Sequence, residues 1–210
     1  MLCFSKNEIC EKLCENEREL ISVKIGFPVF EGDKVISKKL NEFYSTSAKK
    51  YFDFFKTKHY EEVKKQIKNG NFTKKNGASI NWQISYIDEK ILSVINDISF
   101  FDGKFLKSVR HVQNWNLNFC TPLYAKNVFC TNVSAKRKIL NIISEKIEKN
   151  KAAFSFKENA TVLCEKYFDF EKFYFVPNGV AFYYEKNKIT DGREYPSFVI
   201  SRNDMPGMSI

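Results

Sequence analysis

One stretch decides the fold that we predict for this chain, Phe173-Tyr174-Phe175-Val176-Pro177-Asn178-Gly179-Val180-Ala181-Phe182-Tyr183-Tyr184. Its two halves are rich in aromatic and β-branched residues, which favour strands, and a Pro-Asn-Gly sequence separates them. Proline sets the backbone for the first corner of a turn, and glycine tolerates the positive φ that a tight turn requires. The stretch therefore predicts a β-hairpin. Because neither face is polar, we expect other parts of the protein to cover both sides of it, as in the centre of a sheet.

Helical periodicity appears in two long regions before this hairpin. Apolar residues recur every three or four positions across residues 38–68, which predicts a long amphipathic helix with an interruption near residues 57–59. His59 is expected on a solvated face of that helix. A shorter helix is predicted at residues 134–150, with Ser134 as its N-cap. The spacing of Ile9 and Leu13 also predicts a short helix within residues 4–18.

Alternating apolar and polar residues predict several strands. Residues 70–77 are polar and are interpreted as a loop. No glycine-rich phosphate loop follows any strand. The order of the elements predicts an α+β fold, with a mainly antiparallel sheet and one long and one shorter helix packed on it. The strands between residues 81 and 122 are expected to form an antiparallel meander. The predicted strands are residues 21–30, 81–86, 91–101, 104–113, 115–119 and 197–201.

The predicted organisation is one α+β module at residues 19–202, built from two lobes at about 19–101 and 102–202. Residues 1–18 are interpreted as an N-terminal arm and residues 203–210 as a frayed tail. No apolar run approaches the ~20 residues needed to cross a bilayer, and the first residues do not have the pattern of a signal peptide. The sequence therefore predicts a cytoplasmic protein as written, or an extracytoplasmic one if a leader or anchor was removed.

The formal net charge of +9 suggests nucleic acid, an anionic wall polymer or a membrane surface as partner. The lysines are scattered along the chain beside abundant Asn, Ile and Phe, however, and no long basic block is present. A biased genomic base composition produces the same pattern, and we take that as the simpler explanation.

The sequence contains few residues that indicate catalysis or metal binding. The six cysteines include no C-x-x-C pair, and only two histidines accompany them, so we predict no metal site, no cofactor and six reduced thiols. No nucleophile elbow is present, and a pairing of Cys120 with His111 has no distinctive spacing. We predict a protein without catalytic residues, with an uncharacterised hydrolase as an alternative.

Several segments, taken in order, resemble the RsiV-like extracytoplasmic domain family. They are a strand that precedes a helix, a central hairpin, a Trp-containing segment before the second helix, and the closing hairpin, loop and strand. The resemblance covers most of residues 20–201, and its individual motifs are structural. The segments are residues 21–30, 40–44, 91–101, 115–129 and 173–200.

This resemblance implies a non-catalytic α+β binding module. The family includes the sensor domain of a membrane-anchored anti-sigma factor that binds lysozyme and the accessory domain of some peptidoglycan deacetylases. The glycine- and histidine-containing segment of the family is replaced here by residues 101–106, so no recognition loop is carried over. Lysozyme is itself basic in its common forms, and a chain of net charge +9 is a poor electrostatic match for it.

The predicted binding surface comprises the loops at residues 102–110 and 187–195, which combine charge with aromatic residues. The expected ligand is a macromolecule, either a protein or an anionic polymer. The alternative is a nucleic acid, bound by the basic residues near 104–110 with Phe101, Phe105 and Trp115 interleaved. The candidate binding residues are Lys104, Lys107, Arg110, Arg193 and Tyr195.

Overall fold

The structure is a computed structural model that describes residues 2–70, 76–101, 106–149, 155–192 and 194–208. A π-helical turn at Phe55–His59 separates the first two helices. Within the described residues the chain forms, in order, β1 (Cys3–Glu15), β2 (Arg18–Glu31), α1 (Lys34–Phe54), α2 (Tyr60–Lys68), β3 (Asn76–Ile87), β4 (Ile91–Phe101), β5 (Leu106–Asn116), β6 (Thr121–Pro122), α3 (Ala125–Val128), α4 (Val133–Lys149), α5 (Ala160–Tyr167), β7 (Phe173–Val176), β8 (Gly179–Tyr183) and β9 (Ser197–Ser201).

The strands form a six-stranded sheet in the order β1-β2-β3-β4-β5-β6 and a three-stranded sheet in the order β7-β8-β9. The α+β class with a mainly antiparallel sheet is confirmed. One pair departs from the predicted pattern, because β2 and β3 run parallel from Ile21 opposite Asn76 to Ile25 opposite Ile80. The helices α1 and α2 lie between these strands in the chain and supply the crossover that a parallel pair requires.

The chain folds into two compact units. Unit 1 contains residues 1–83 and 95–111, and unit 2 contains residues 84–94 and 112–210. The strands β3, β4 and β5 contribute residues to both units, so the division does not fall at a single point of the chain.

The N-terminal segment of unit 1 is a strand, and the prediction of a helix there is wrong. β1 pairs with β2 along its length, from Cys3 opposite Glu31 to Glu15 opposite Arg18. The connecting residues Asn16 and Glu17 both have positive φ, 48° and 65°, as in the type I′ turns that suit hairpins. The four-residue spacing of the apolar side chains in β1 is compatible with one face of a strand as well as one face of a helix.

The long helix of unit 1 is confirmed and begins four residues earlier than predicted. The Oδ1 atom of Asp33 accepts hydrogen bonds from the backbone N–H groups of Val35 and Ile36, at 2.9 and 3.0 Å, and so caps α1. The predicted interruption coincides with the π-helical turn at Phe55–His59. His59 is only 2% exposed, so its predicted solvated position is wrong. Its ring packs against the rings of Phe55 and Phe100 at centroid distances of 6.0 and 5.2 Å, because His59 follows the buried Phe55 by four residues and so lies on the same side of the helix.

The core of unit 1 lies between the helices and one face of the sheet. Helix residues Ala48, Phe55 and Val63 pack against alternating residues of the strands. Phe27, Tyr51 and Phe100 are among the partly buried side chains at its margin. The buried strand residues of this core are Leu13, Leu20, Ile21, Val23, Ile25, Ala78, Ile80 and Ile98.

The predicted hairpin forms β7 and β8 of unit 2, with Val176 opposite Gly179. Gly179 has φ +153°, and a Cβ atom placed there would lie 2.1 Å from the backbone oxygen of Ile200. Every residue of β8 is buried, whereas Tyr174 and Val176 of β7 are half-buried. The strand β9 pairs with the other side of β8, which makes β8 the central strand of this sheet.

The shorter helix of unit 2 is confirmed as α4, with a different N-cap. The side chain of Asn132, and not that of Ser134, accepts the backbone N–H of Ala135 at 2.8 Å. Helices α3 and α5 have no counterpart in the prediction. The strand predicted at residues 115–119 ends at Asn116, because the chain turns at residues 117–120.

The C-terminal segment packs onto unit 2, so the prediction of a frayed tail is wrong as far as residue 207. Met205 is 4% exposed, and the backbone N–H of Cys130 donates to the carbonyl oxygen of Pro206 at 2.9 Å. The core of unit 2 joins this segment to α4, α5 and the three-stranded sheet. Its buried members include Ile139, Ile143, Ile147, Cys164, Phe173, Phe175, Val180, Phe182, Tyr184, Phe198 and Ile200.

Candidate functional site

Two of the five predicted binding residues lie outside the described part of the chain. They are Lys104, between β4 and β5 in the sequence, and Arg193, between β8 and β9 in the sequence. The structure therefore locates Lys107, Arg110 and Tyr195.

Arg110 is held by an ion pair within unit 1. Its Nε and Nη2 atoms donate to the two carboxylate oxygens of Asp97, at 2.7 and 2.8 Å, and its side chain is only 11% exposed. This two-point geometry occupies the planar edge that a guanidinium group uses to recognise phosphates or carboxylates. Arg110 therefore uses this edge to bind Asp97 and does not present it to a ligand.

Lys107 is exposed on the same strand as Arg110 and lies three residues before it. Its Nζ atom lies 5.6 Å from the ring centroid of Phe100. Since side chains alternate between the faces of a strand, residues three positions apart point to opposite faces. The strand β5 therefore does not bring the predicted cations together. Trp115, proposed as part of a stacking surface, is buried in unit 2 with 7% exposure.

Tyr195 lies beneath Lys186, the residue that precedes the second predicted loop. The Nζ atom of Lys186 is 4.8 Å from the centroid of its ring, and the ring is edge-to-face with that of Tyr183 at 6.3 Å. The ring of Tyr183 in turn lies 6.4 Å from that of Tyr174, whose hydroxyl contacts Ser197 Oγ at 3.0 Å. Tyr195 itself is 8% exposed, whereas Lys186 above it is half-buried.

A second lysine–tyrosine contact lies in the same unit and was missed by the sequence analysis. The Nζ atoms of Lys166 and Lys188 lie 5.4 and 4.9 Å from the centroid of the Tyr167 ring. The ammonium groups of Lys166 and Lys188 therefore both lie close to the same ring. Lys166 and Tyr167 are neighbours at the end of α5, but nothing in the sequence connects them with Lys188.

Backbone contacts hold the loop that carries Lys186 and Lys188. The Nζ atom of Lys157 donates to the carbonyl oxygen of Asn187 at 2.6 Å and lies 3.8 Å from the carboxylate of Asp191. The N–H of Lys157 donates to the carbonyl of Ile189, and the N–H of Asp191 donates to that of Ser155, both at 3.0 Å. The lysines therefore project from an anchored loop.

We define the lysine–tyrosine surface as Lys166, Tyr167, Lys186, Lys188 and Tyr195. Among the residues that the structure describes, no carboxylate oxygen lies within 4.0 Å of the ammonium group of any of its three lysines. A lysine over an aromatic ring is attracted to the ring face but keeps its full charge. The surface thus presents three cations without paired carboxylates, in positions suited to contact an anionic ligand.

The buried thiol of unit 2 is unsuited to nucleophilic catalysis. Burial raises the pKa of Cys164 to about 11, and the adjacent Tyr184 hydroxyl has its pKa raised by burial as well. A thiol attacks as its thiolate, which is scarce at neutral pH when the pKa is so high.

Within the described residues, no group of three His, Cys, Asp or Glu side chains is arranged to hold a metal ion. Cys3, Cys10 and Cys14 lie along the strand β1.

None of the described helices is both long enough and apolar enough to cross a membrane.

Comparison with known proteins gives structural matches only. No family model matches the sequence, and no curated protein does. A member of the DUF3298 family from Bacteroides fragilis superimposes with a TM-score of 0.71 at 14% sequence identity, over 99% of this chain and 93% of that one. A DUF3298 family protein from Pseudomonas aeruginosa gives a TM-score of 0.66 at 10% identity, over 98% of this chain and 94% of that one.

The chain therefore has the fold of these DUF3298 structures. DUF3298 is the RsiV-like domain family, so the fold agrees with the resemblance seen in the sequence. At these identities the likeness shows the fold alone, and function has to be argued from the site.

Proposed function

We propose that this protein is a non-catalytic binding module of the RsiV-like type whose ligand is an anionic macromolecule, either an acidic protein or an anionic polymer of the cell wall. The observation that carries this proposal is the lysine–tyrosine surface of unit 2. There, three lysines that have no paired carboxylate among the described residues lie over two tyrosine rings.

The arrangement of this surface favours binding to an extended anion. Lys166 comes from a helix, whereas Lys186 and Lys188 come from an anchored loop, so the ammonium groups occupy separate positions over the surface. The tyrosine rings beneath them restrict the lysine side chains and so reduce the conformational entropy lost on binding. A polymer or acidic protein with repeated negative groups can contact several of these ammonium groups at once.

The charge of the whole chain favours the same class of ligand. A net charge of +9 attracts anionic partners and accelerates their association at low ionic strength. Because two of the five predicted binding residues lie outside the described residues, the proposal rests on the three lysines of the surface.

Co-sedimentation with purified bacterial cell walls tests the polymer ligand, and affinity capture with acidic proteins from a native lysate tests the protein ligand. We expect the Lys166→Gln/Lys188→Gln variant to bind several-fold more weakly than the unmodified protein. The matched control is Lys65→Gln/Lys68→Gln, which removes the same charge from exposed positions of α2. Walls stripped of their anionic polymers distinguish charge recognition from binding to the peptidoglycan itself.

Equal losses in both variants would contradict the proposal, because net charge alone would then account for binding. Binding that neither variant weakens would also contradict it. A nucleic-acid ligand would instead require an affinity that falls linearly with the logarithm of salt concentration and weakens when Lys107 is neutralised. Titration of single-stranded and duplex oligonucleotides at two salt concentrations detects that outcome.

A further inference from the structure

The exposed side of α1 carries a repeated pair of residues. Lys39 precedes Phe43 by four positions, and Lys50 precedes Phe54 by four. The two pairs are eleven residues apart, which is close to three helical turns, so both pairs lie on the same side of the helix. The inner side of α1 is formed by other residues, among them Leu40, Tyr44 and Ala48.

Both phenylalanine rings remain accessible. Phe43 is 37% exposed and Phe54 is 42% exposed. Each ring packs edge-on against the ring of the next residue in the chain, at 5.1 Å for Tyr44 and 5.5 Å for Phe55. These contacts hold the rings beside the helix and leave a substantial part of each apolar surface open.

The same part of the chain carries a marked excess of positive charge. Residues 34–58 contain seven lysines but only two carboxylates, Glu42 and Asp53. Lys38 lies 4.0 Å from Glu42, and Lys56 lies 3.0 Å from Glu11 of β1. Among the described residues, no carboxylate lies within 4.0 Å of the remaining five lysines, which are all exposed. They are Lys34, Lys39, Lys49, Lys50 and Lys58.

We infer that this side of α1 attaches the protein peripherally to an anionic lipid bilayer. Ammonium groups on flexible stems reach the phosphates of the headgroups, while phenyl rings beside them enter the boundary between headgroups and acyl chains. A polyanion without an apolar region contacts the lysines only, and it leaves the exposed surface of the two phenylalanine rings in water. Of the five exposed lysines, Lys39 and Lys50 lie on the side of α1 that carries the exposed rings of Phe43 and Phe54, and this combination of charge and apolar surface matches a lipid surface.

This attachment needs no folding of the helix on the membrane. α1 already packs on β2 and has a capped N-terminus. Lys39, Phe43, Lys50 and Phe54 are therefore in place on the helix before the protein meets the membrane. We expect the circular dichroism of the protein to stay unchanged when vesicles are added, in contrast to a disordered amphipathic segment that folds on binding. The inference rests on unit 1 and is independent of the lysine–tyrosine surface of unit 2.

Vesicle co-sedimentation of the full chain is the test. We expect binding to vesicles of phosphatidylglycerol mixed with phosphatidylcholine and none to vesicles of phosphatidylcholine alone. Phe43→Ser/Phe54→Ser and Lys39→Gln/Lys50→Gln should each weaken binding several-fold. The control Lys126→Gln/Lys138→Gln, which removes the same charge from exposed positions of unit 2 outside the lysine–tyrosine surface, should bind as the unmodified protein does.

A Phe54→Trp variant adds a local readout that does not depend on the stability of the double variants. Its fluorescence should shift to the blue and be quenched by brominated acyl chains when anionic vesicles are added. Absence of vesicle binding, absence of quenching, or an equal loss in the unit 2 control would overturn the inference. A different pattern would assign this side of α1 to polyanions instead. The lysine variant would then weaken binding to heparin while the phenylalanine variant left it intact, and vesicle binding would be the same with and without the two phenylalanines.

Discussion

Gly179 occupies a position in the β7–β8 turn that a residue with a side chain cannot fill without moving the backbone. Its φ of +153° is accessible mainly to glycine, and an added Cβ would lie 2.1 Å from the carbonyl oxygen of Ile200. We expect Gly179→Ala to lower the free energy of unfolding by about 2–4 kcal/mol, measured by chemical denaturation.

Gly77 in β3 provides the control for this substitution. Among the described residues, a Cβ atom there would meet only the backbone oxygen of Ser22, at 3.9 Å, which is an ordinary contact distance. We expect Gly77→Ala to change the free energy of unfolding by less than about 1 kcal/mol. Similar losses of unfolding free energy for Gly179→Ala and Gly77→Ala would show that the turn does not specifically require glycine.

The cysteines should differ sharply in reactivity. Burial raises the pKa of Cys164 to about 11, so only about one thiol in a thousand is ionised at pH 8. Cys3, Cys10, Cys14 and Cys130 are exposed. Brief treatment of the native protein with iodoacetamide should therefore modify these four and leave Cys164 intact, as determined by peptide mass spectrometry.

Denatured protein supplies the control, since all six thiols should then react. Labelling of Cys164 in the native protein at the rate of Cys130 would refute its buried position. The same mass measurement without reducing agent tests the prediction that all six thiols are reduced.

At the scale of elements, one aspartate organises the turn between β3 and β4. The Oδ1 atom of Asp88 accepts the N–H groups of Lys90 and Ile91 at 2.7 and 2.6 Å, and its Oδ2 atom accepts the hydroxyl of Tyr86 at 2.7 Å. Removal of these bonds in Asp88→Ala should cost about 1–3 kcal/mol of stability, measured by denaturation at neutral pH. Glu89→Ala, an exposed change in the same turn, should cost less than about 0.5 kcal/mol.

The contribution of Asp88 should depend on pH. Burial disfavours its ionised form, but the hydrogen bonds from Tyr86, Lys90 and Ile91 outweigh that effect and, with the charge of Arg202, hold the pKa of Asp88 below its usual value. Because the folded pKa is below the unfolded one, the stabilisation is complete above the unfolded value of about 4 and disappears as the pH falls through the folded value. The stability difference between the unmodified protein and Asp88→Asn should therefore shrink between pH 7 and pH 3. A difference that grows on acidification would contradict this account.

For the whole molecule, unit 1 begins at the N-terminal strand only if residues 1–18 are part of its packed structure and not a loosely attached arm. The sequence predicts an arm there, whereas the structure pairs β1 with β2 and buries Leu13 to 7% exposure. Leu13→Ala should therefore cost about 2–4 kcal/mol of unfolding free energy. Cys14→Ala, an exposed change one residue later, should cost little. Negligible costs for both would support a loosely attached arm.

We also predict that the whole molecule has no hydrolytic activity. His59 is buried among aromatic rings, and the Cys164 thiol has a raised pKa, so neither is suited to serve as base or nucleophile. A screen with peptidoglycan, ester and phosphoester substrates should give no turnover above buffer, with a known hydrolase as positive control. Turnover that disappears on a single polar substitution, such as His111→Ala, would contradict the prediction.

Elements with a strong local pattern were predictable from the sequence. The β7–β8 hairpin, the long helix with its interruption, the helix α4, and the strands β4 and β9 all form as predicted, because turn residues and apolar periodicity act between neighbours in the chain. The failures occurred where a pattern was ambiguous. Ile9 and Leu13 lie four residues apart, which suits one face of a helix or of a strand, and pairing with β2 determines which of the two forms.

The candidate site depended far more on tertiary structure. Arg110 was predicted as a binding residue from its charge, but its ion pair with Asp97 arises from the pairing of neighbouring strands. Lys188 lies in the predicted loop at residues 187–195 but was not among the five candidate residues, and its contact with Tyr167, 21 positions away in the sequence, was not predicted.

The sequence by itself determined the α+β class, most of the helices and strands, and the turn that requires Gly179. Only the tertiary structure decided the parallel pairing of β2 with β3, the burial of His59 and the grouping of lysines over tyrosines. The physical reason is that periodicity and turn chemistry are set within a few residues. Ion pairs, burial and cation–ring contacts depend instead on which distant segments the fold brings together.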